Sequence, residues 1–219
     1  MKIATWNIER LKHKKALAEI MSSIDEIKAD ILVLTETDQR LHPKYRFYYE
    51  TPRMAICQPD FYGPTENRVS IYTNYPCVRQ YSTFDENTAL CTELETEKGN
   101  LIVYGTIIGI LGNHQKTFMP DLMKQMDDLR HLSKLGTAIC ICGDFNCSFA
   151  DNYYFTTAGR TSILNGLTDC GLSLLTKNQP ECIDHIALTE DFAGNAEVKI
   201  VEWNQSKTLS DHKGIVVSF

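Results

Sequence analysis

The stretch Ile31-Leu32-Val33-Leu34-Thr35-Glu36-Thr37-Asp38 decides how the chain is read. Its first four residues form a short, continuous apolar run, the pattern of a strand covered on both faces, and the strand delivers its polar tail to one rim of a sheet. Upstream, Leu17, Ile20, Met21, Ile24 and Ile27 follow the i, i+3, i+4, i+7 spacing of a helix with one buried stripe, broken at Asp30. Before that helix, Met1 to Trp6 reads as the start of a buried strand. Downstream, Val69 to Thr73, Ala89 to Glu95, Leu101 to Ile108, Ala138 to Cys142, Ile183 to Thr189, Ala196 to Trp203 and Gly214 to Phe219 are rich in β-branched and aromatic residues and predict further strands. Leu122, Met126, Leu129 and Leu132 or Ser133 trace a second amphipathic helix, with Pro120 near its first turn. Many strands with two or three helices predict a sheet-rich α/β sandwich rather than a simple βαβ alternation.

Composition narrows the function. With 219 residues, 43% of them apolar, the chain is long enough for one substantial core, so residues 1–219 are expected to form a single domain. No linker-like stretch and no repeat of 20 to 50 residues interrupts it. Twenty-two basic against 28 acidic residues leave a net charge of -6, which is not the footprint of a protein that clamps long duplex DNA. Apolar runs stop far short of the roughly 20 residues a spanning helix needs. No secretory signal pattern follows Lys2, so a cytoplasmic location and reduced thiols are expected. The eight cysteines form no C-x-x-C pair.

Chemistry-bearing residues recur where the apolar runs end. Asn7 and Glu9 follow the first strand, and Glu36 ends the second. Gly143-Asp144-Phe145-Asn146 follows Ala138 to Cys142, Asp184-His185 opens another strand, and Ser210-Asp211-His212 precedes the last. Each alone has an ordinary reading as a turn, cap or solvated charge. Together they make a set of hard oxygen ligands and imidazoles that suits magnesium and a phosphate ester, without the thiolate and multi-histidine spacing of zinc. Asn67 and Arg68, just before the strand Val69 to Thr73, are candidate substrate contacts at a phosphate, since a guanidinium grips phosphate oxygens in a fork. Tyr153-Tyr154-Phe155 is either a stacking surface or core. His114 and His131 are expected to be structural or solvated.

Thr5-Trp6-Asn7-Ile8, Leu34-Thr35-Glu36-Thr37, Gly143-Asp144-Phe145-Asn146, Ile183-Asp184-His185-Ile186 and Ser210-Asp211-His212-Lys213-Gly214, in this order, resemble the endonuclease/exonuclease/phosphatase superfamily. That group includes exonuclease III-like repair nucleases, DNase I-like nucleases, sphingomyelinases and inositol-polyphosphate 5-phosphatases. The resemblance implies a four-layer α/β sandwich with two mixed sheets packed face to face between helices. It also implies a magnesium site, with manganese a possible substitute, at Asn7 and Glu36, with Asp211 at the metal or its water shell. Asp144 would be the base or orienter of the attacking water, and Asn146 would hold that water or a phosphate oxygen. His212, polarised by Asp184, would stabilise charge on the phosphoryl oxygen. Thr35 stands where many members carry Gln, Thr106 where repair nucleases place a Tyr, and His114 is the nearest histidine to where DNase I-like members place one.

The expected activity is therefore metal-dependent hydrolysis of a phosphodiester in nucleic acid or a nucleotide, with short or single-stranded substrates favoured by the charge. The alternatives are a phosphatase or phosphodiesterase for a small metabolite or lipid headgroup, and a catalytically silent phosphate binder. None of the matched polar positions is replaced, which disfavours the last.

Overall fold

The computed structural model describes residues 1–219. Twelve strands form two six-stranded sheets. The first sheet holds β1 (Lys2–Asn7), β2 (Ile31–Asp38), β3 (Phe47–Glu50), β4 (Glu66–Thr73), β11 (Lys199–Trp203) and β12 (Gly214–Ser218), in the order β11-β12-β1-β2-β4-β3. The second holds β5 (Cys77–Tyr81), β6 (Ala89–Thr96), β7 (Gly99–Ile107), β8 (Ala138–Asp144), β9 (Leu172–Leu174) and β10 (Asp184–Thr189), in the order β5-β6-β7-β8-β10-β9. In each sheet one central pair is parallel, β1 with β2 and β7 with β8, and the remaining pairs are antiparallel. Four helices complete the fold: α1 (Leu17–Ile27), α2 (Met54–Cys57), α3 (Phe118–Ser133) and α4 (Thr157–Asp169).

The continuous apolar strands are explained by three cores. Ile3, Ile31, Val33, Cys140, Cys142, Ile186 and Leu188 face the layer between the sheets. Ala4, Trp6, Leu32 and Leu34 point the other way, onto Ile20 and Ile24 of α1. Ile139, Ile141 and Ala187 face α3 and α4 through Leu122, Met126, Leu129 and Ile163. Strand side chains alternate with period two, so only a strand clad on both sides reads as unbroken hydrocarbon. This is the expected four-layer sandwich.

Several elements differ from the sequence reading. The first sheet's β3 and the second sheet's β5 and β9 were not predicted, nor were α2 and α4. In α4 the buried residues are Gly159, Ile163, Gly166 and Leu167, so half of its buried face has no side chain to mark it. Gly166 is required there, because a Cβ would meet Met126 Sδ of α3 at 2.4 Å. The basic run Lys12 to Lys15 ends in a 3₁₀ turn, Lys14–Ala16, ahead of α1. Phe155 packs against the helical core with Arg160 over its ring at 3.6 Å, which settles its part of the Tyr-Tyr-Phe run as core. No helix is long and apolar enough to cross a membrane.

Candidate active site

The same alternation that builds the core places the site. Ile3 and Thr5 lead to Asn7 along one side of β1, Cys140 and Cys142 lead to Asp144 on β8, and Leu188 and Ile186 lead back to Asp184 on β10. Asn7, Asp144 and Asp184 are therefore inter-sheet residues at the rim, where the hydrocarbon series ends and polar groups begin. Asp184 stands directly opposite Asp144 in the antiparallel ladder. Gly143 makes this delivery possible: its φ is +141°, and a Cβ there would lie 2.0 Å from the Thr106 carbonyl oxygen.

Asp144 is almost wholly buried and held from three directions. Asn7 Nδ2 donates to its Oδ2 at 3.1 Å, the Asn146 backbone N–H donates to its Oδ1 at 2.8 Å, and Asn146 Nδ2 lies 3.4 Å from Oδ2. Burial pushes its carboxyl up to about 7; the charges of Asp184 and Glu36 add to this, while His212 and the Asn146 N–H oppose it. Asn146 has committed its amide nitrogen to the Ile108 and Gly109 carbonyls, at 3.1 and 3.3 Å, so Oδ1 is the atom it keeps to offer. That acceptor suits the proton of a water and not a phosphate oxygen.

His212 crosses from the first sheet to the second. Its Nδ1 lies 2.5 Å from Asp184 Oδ2 and its Nε2 lies 3.5 Å from Asp211 Oδ1. Burial alone would lower the imidazole, but Asp184, through charge and hydrogen bond, and then Asp144 and Asp211 raise it to about 10. The loop before β12 is tied down by Ser210 Oγ, which donates to the Asn7 carbonyl at 2.6 Å and accepts the His212 N–H at 3.2 Å. Trp6 Nε1 and Asn204 Nδ2 both donate to the His212 carbonyl, at 3.1 and 2.7 Å.

By donor chemistry, Glu36, Asn7 and Asp211 fit a hard cation. Glu36 has φ +46°, a kink in β2, and its half-buried carboxylate receives no hydrogen bond or ion pair from the protein. Asp211 is 66% exposed at its side chain, and Asn7 Oδ1 accepts the Glu9 N–H at 2.9 Å with its second lone pair left over. A carboxylate without a partner, a carboxamide oxygen and a second carboxylate are the oxygen donors magnesium takes. Asp144, Asp184 and His212 also cluster, with ligand atoms within 4.8 Å of one another. An imidazolium has no lone pair for a metal, so this group is better suited to proton handling.

Two cavities flank these residues. One, of about 270 Å³, is lined by Asn146, Tyr153, Tyr154, Lys207 and His212 among others. The second, of about 200 Å³, is lined by Arg10, Glu36, Tyr62, Asn67, Arg68 and Ile110. Asn67 Nδ2 is held by the Val69 carbonyl and Ser70 Oγ, both at 2.9 Å, so a phosphate contact at this position falls to Arg68. Thr106 is turned away from the site, donating to Gln125 of α3 at 2.7 Å. His114 is exposed and meets Tyr154 edge-on at 5.0 Å; His131 is exposed on α3.

Glu9 was visible in the sequence as a polar residue after β1 but was not placed in the site. It is buried, accepts the Asp211 N–H at 2.8 Å and pairs with Lys12 at 2.8 Å. Its turn runs through three left-handed residues, Glu9, Arg10 and Leu11, a conformation no local pattern announces. Arg10 and Tyr62 were missed for the same reason: loops bring them together.

The sequence model of the Endonuclease/Exonuclease/phosphatase family matches residues 4–212. The chain belongs to that family. It is accordingly a hydrolase of phosphoester bonds. Three solved structures share the DNase I-like sandwich of this family member. An AP endonuclease from Archaeoglobus fulgidus is 15% identical with a TM-score of 0.72, covering 100% of this chain and 99% of that one. NExo, a 3'-5' exonuclease from Neisseria meningitidis, is 18% identical with a TM-score of 0.69 over 100% and 99%. The endonuclease domain of TRAS1, a telomere-specific non-LTR retrotransposon, is 16% identical with a TM-score of 0.66 over 99% and 96%. No curated protein matches the chain by sequence.

Proposed function

We propose that this hydrolase cleaves a phosphodiester in nucleic acid or a nucleotide, with magnesium, or manganese in its place, held at Glu36, Asn7 and Asp211. The observation that carries the reading is the convergence, within 4.8 Å, of a carboxyl raised to about 7 and an imidazole raised to about 10 by its own carboxylate. Asp144, steadied by Asn7 and Asn146, takes a proton from the attacking water, whose other hydrogen Asn146 Oδ1 accepts. His212, held protonated by Asp184, donates to the phosphoryl oxygen as charge grows there and the bond to the leaving oxygen breaks. Bound magnesium would supply Lewis-acid polarisation of the phosphoryl oxygen.

Other solved structures that share the fold include NExo, a 3' phosphatase from Neisseria bound to a product DNA hairpin, which supports a nucleic-acid substrate for this chain. The test is hydrolysis, with and without magnesium, of a bis-aryl phosphodiester, an aryl phosphomonoester, and single- and double-stranded oligonucleotides. Magnesium-dependent cleavage of the diester and the single strand is expected. Turnover of the monoester alone would overturn the diesterase reading in favour of a small phosphorylated metabolite.

A further inference from the structure

Arg68 is a buried cation without a counterion. Its residue is 7% exposed, no carboxylate lies within 4 Å of its guanidinium, and its buried Nε has no hydrogen-bond partner. One amino group reaches the Tyr62 hydroxyl at 3.4 Å, and the guanidinium carbon lies 5.6 Å from the Tyr62 ring centroid. Glu66, two residues away on β4, binds Arg10, with Arg10 Nε donating at 2.8 Å, and Glu36, which lines the same cavity, makes no ion pair with Arg68. Arg10 in turn stacks on Tyr62 at 4.3 Å. A guanidinium removed from water and left unpaired is costly, and such a charge is normally matched by an anion.

The position of the cavity says which anion. The pairs Thr35 with Val69 and Thr37 with Asn67 set Glu36 and Arg68 opposite each other across β2 and β4. The Arg68 cavity shares no residue with the one lined by Asn146, Asp184 and His212. The Arg68 cavity is thus a pocket separate from the one a phosphoryl group at His212 would occupy.

We propose that the Arg10–Tyr62–Arg68 cavity is a subsite for a second, non-reacting phosphate of the substrate, one nucleotide away from the scissile group on the Glu36 side. This rests on the phosphodiesterase reading and narrows it to substrates with two phosphates, such as dinucleotides carrying a terminal phosphate or longer strands. Arg68 grips the second phosphate with its guanidinium, and Tyr62, braced by Arg10, fixes the angle of that group.

Calorimetric binding of thymidine 3',5'-bisphosphate against the 3'- and 5'-monophosphates tests it without turnover. The intact protein is expected to bind the bisphosphate about 10- to 100-fold more tightly than either monophosphate, the worth of a charge-assisted contact. Arg68→Gln should erase that ratio, and Arg68→Lys should keep part of it. Equal binding of all three nucleotides by the intact protein, or a ratio that survives Arg68→Gln, would overturn the subsite. If Arg68→Gln does not fold, the ratios of the intact protein and of Arg68→Lys decide. The phosphodiesterase reading fails separately, through absence of diester hydrolysis in the assay with magnesium.

Discussion

His212 Nδ1 and Asp184 Oδ2 stand 2.5 Å apart, although 28 residues separate them and they belong to different sheets. The imidazole precedes β12 of the first sheet and the carboxylate opens β10 of the second, so the pair spans the rim of the sandwich. A charge that the protein must keep on His212 is thereby anchored by a carboxylate that is itself 1% exposed and shielded from competing water.

Asp184→Asn removes that anchor and leaves the shape of the side chain. A loss of at least about 10²-fold in kcat is expected, with the magnesium affinity close to wild type and the thermal transition lowered, because the buried imidazolium loses its charged partner. Steady-state kinetics on the bis-aryl diester beside a magnesium titration checks it; unaltered kcat would remove Asp184 from the mechanism.

Glu36→Gln replaces the one carboxylate of the site that no protein donor occupies. The expected result is magnesium binding weakened by at least about 10-fold, with activity lost in parallel and partly restored at high magnesium. Calorimetry reads the affinity directly, and wild-type binding would exclude Glu36 as a ligand.

His185 offers a stability prediction remote from chemistry. Its ring is fully buried, with Nδ1 2.9 Å from Thr176 Oγ1 and Nε2 3.0 and 3.1 Å from the Cys147 and Cys182 carbonyls. Burial lowers it from 6.5 to about 4, with the three hydrogen bonds opposing. The unfolded chain takes up its proton first, so this contribution is complete above pH 6.5 and falls as the pH drops towards 4, by on the order of 3 kcal/mol. Urea unfolding across that window should show the slope in the intact protein, and it should shrink in His185→Asn.

Salt dependence should be shallow. Four lysine and arginine side chains, Arg10, Arg68, Lys207 and Lys213, line the two cavities beside His212, and Arg10 and Lys213 are already paired with Glu66 and Glu202. About two to four phosphate contacts give a slope of log K against log salt of roughly -2 to -4. Titrating a short single strand and a long duplex over a range of salt measures it. A slope steeper than about -6 on duplex would require a basic groove that these residues do not form.

Much of the site was legible because its residues sit at the ends of apolar runs. Asn7, Asp144 and Asp184 each close or open a strand whose hydrocarbon is unmistakable, Glu36 follows the apolar run of β2 two residues before that strand ends, and the order of the five motifs identifies the family before any distance is known. Hidden elements had weak local signals for stated reasons: β5 is an edge strand with three exposed central residues, and α4 buries two glycines. Glu9 and Arg10 lie in a left-handed turn that their side chains do not favour, held by contacts to Asp211 and Glu66 far along the chain.

The sequence alone determined the layered fold, the family and the residue types of the site, because periodicity and strand-end chemistry are local and survive in a linear record. Only the tertiary structure decided which atoms are left to act. Asn146 and Asn67 spend their nitrogens on neighbouring carbonyls or a hydroxyl, His212 meets Asp184, and Arg68 is left without a counterion. Those outcomes depend on hydrogen-bond and charge partners drawn from strands and loops distant in sequence, and the packing of two sheets against each other sets which of them come within reach.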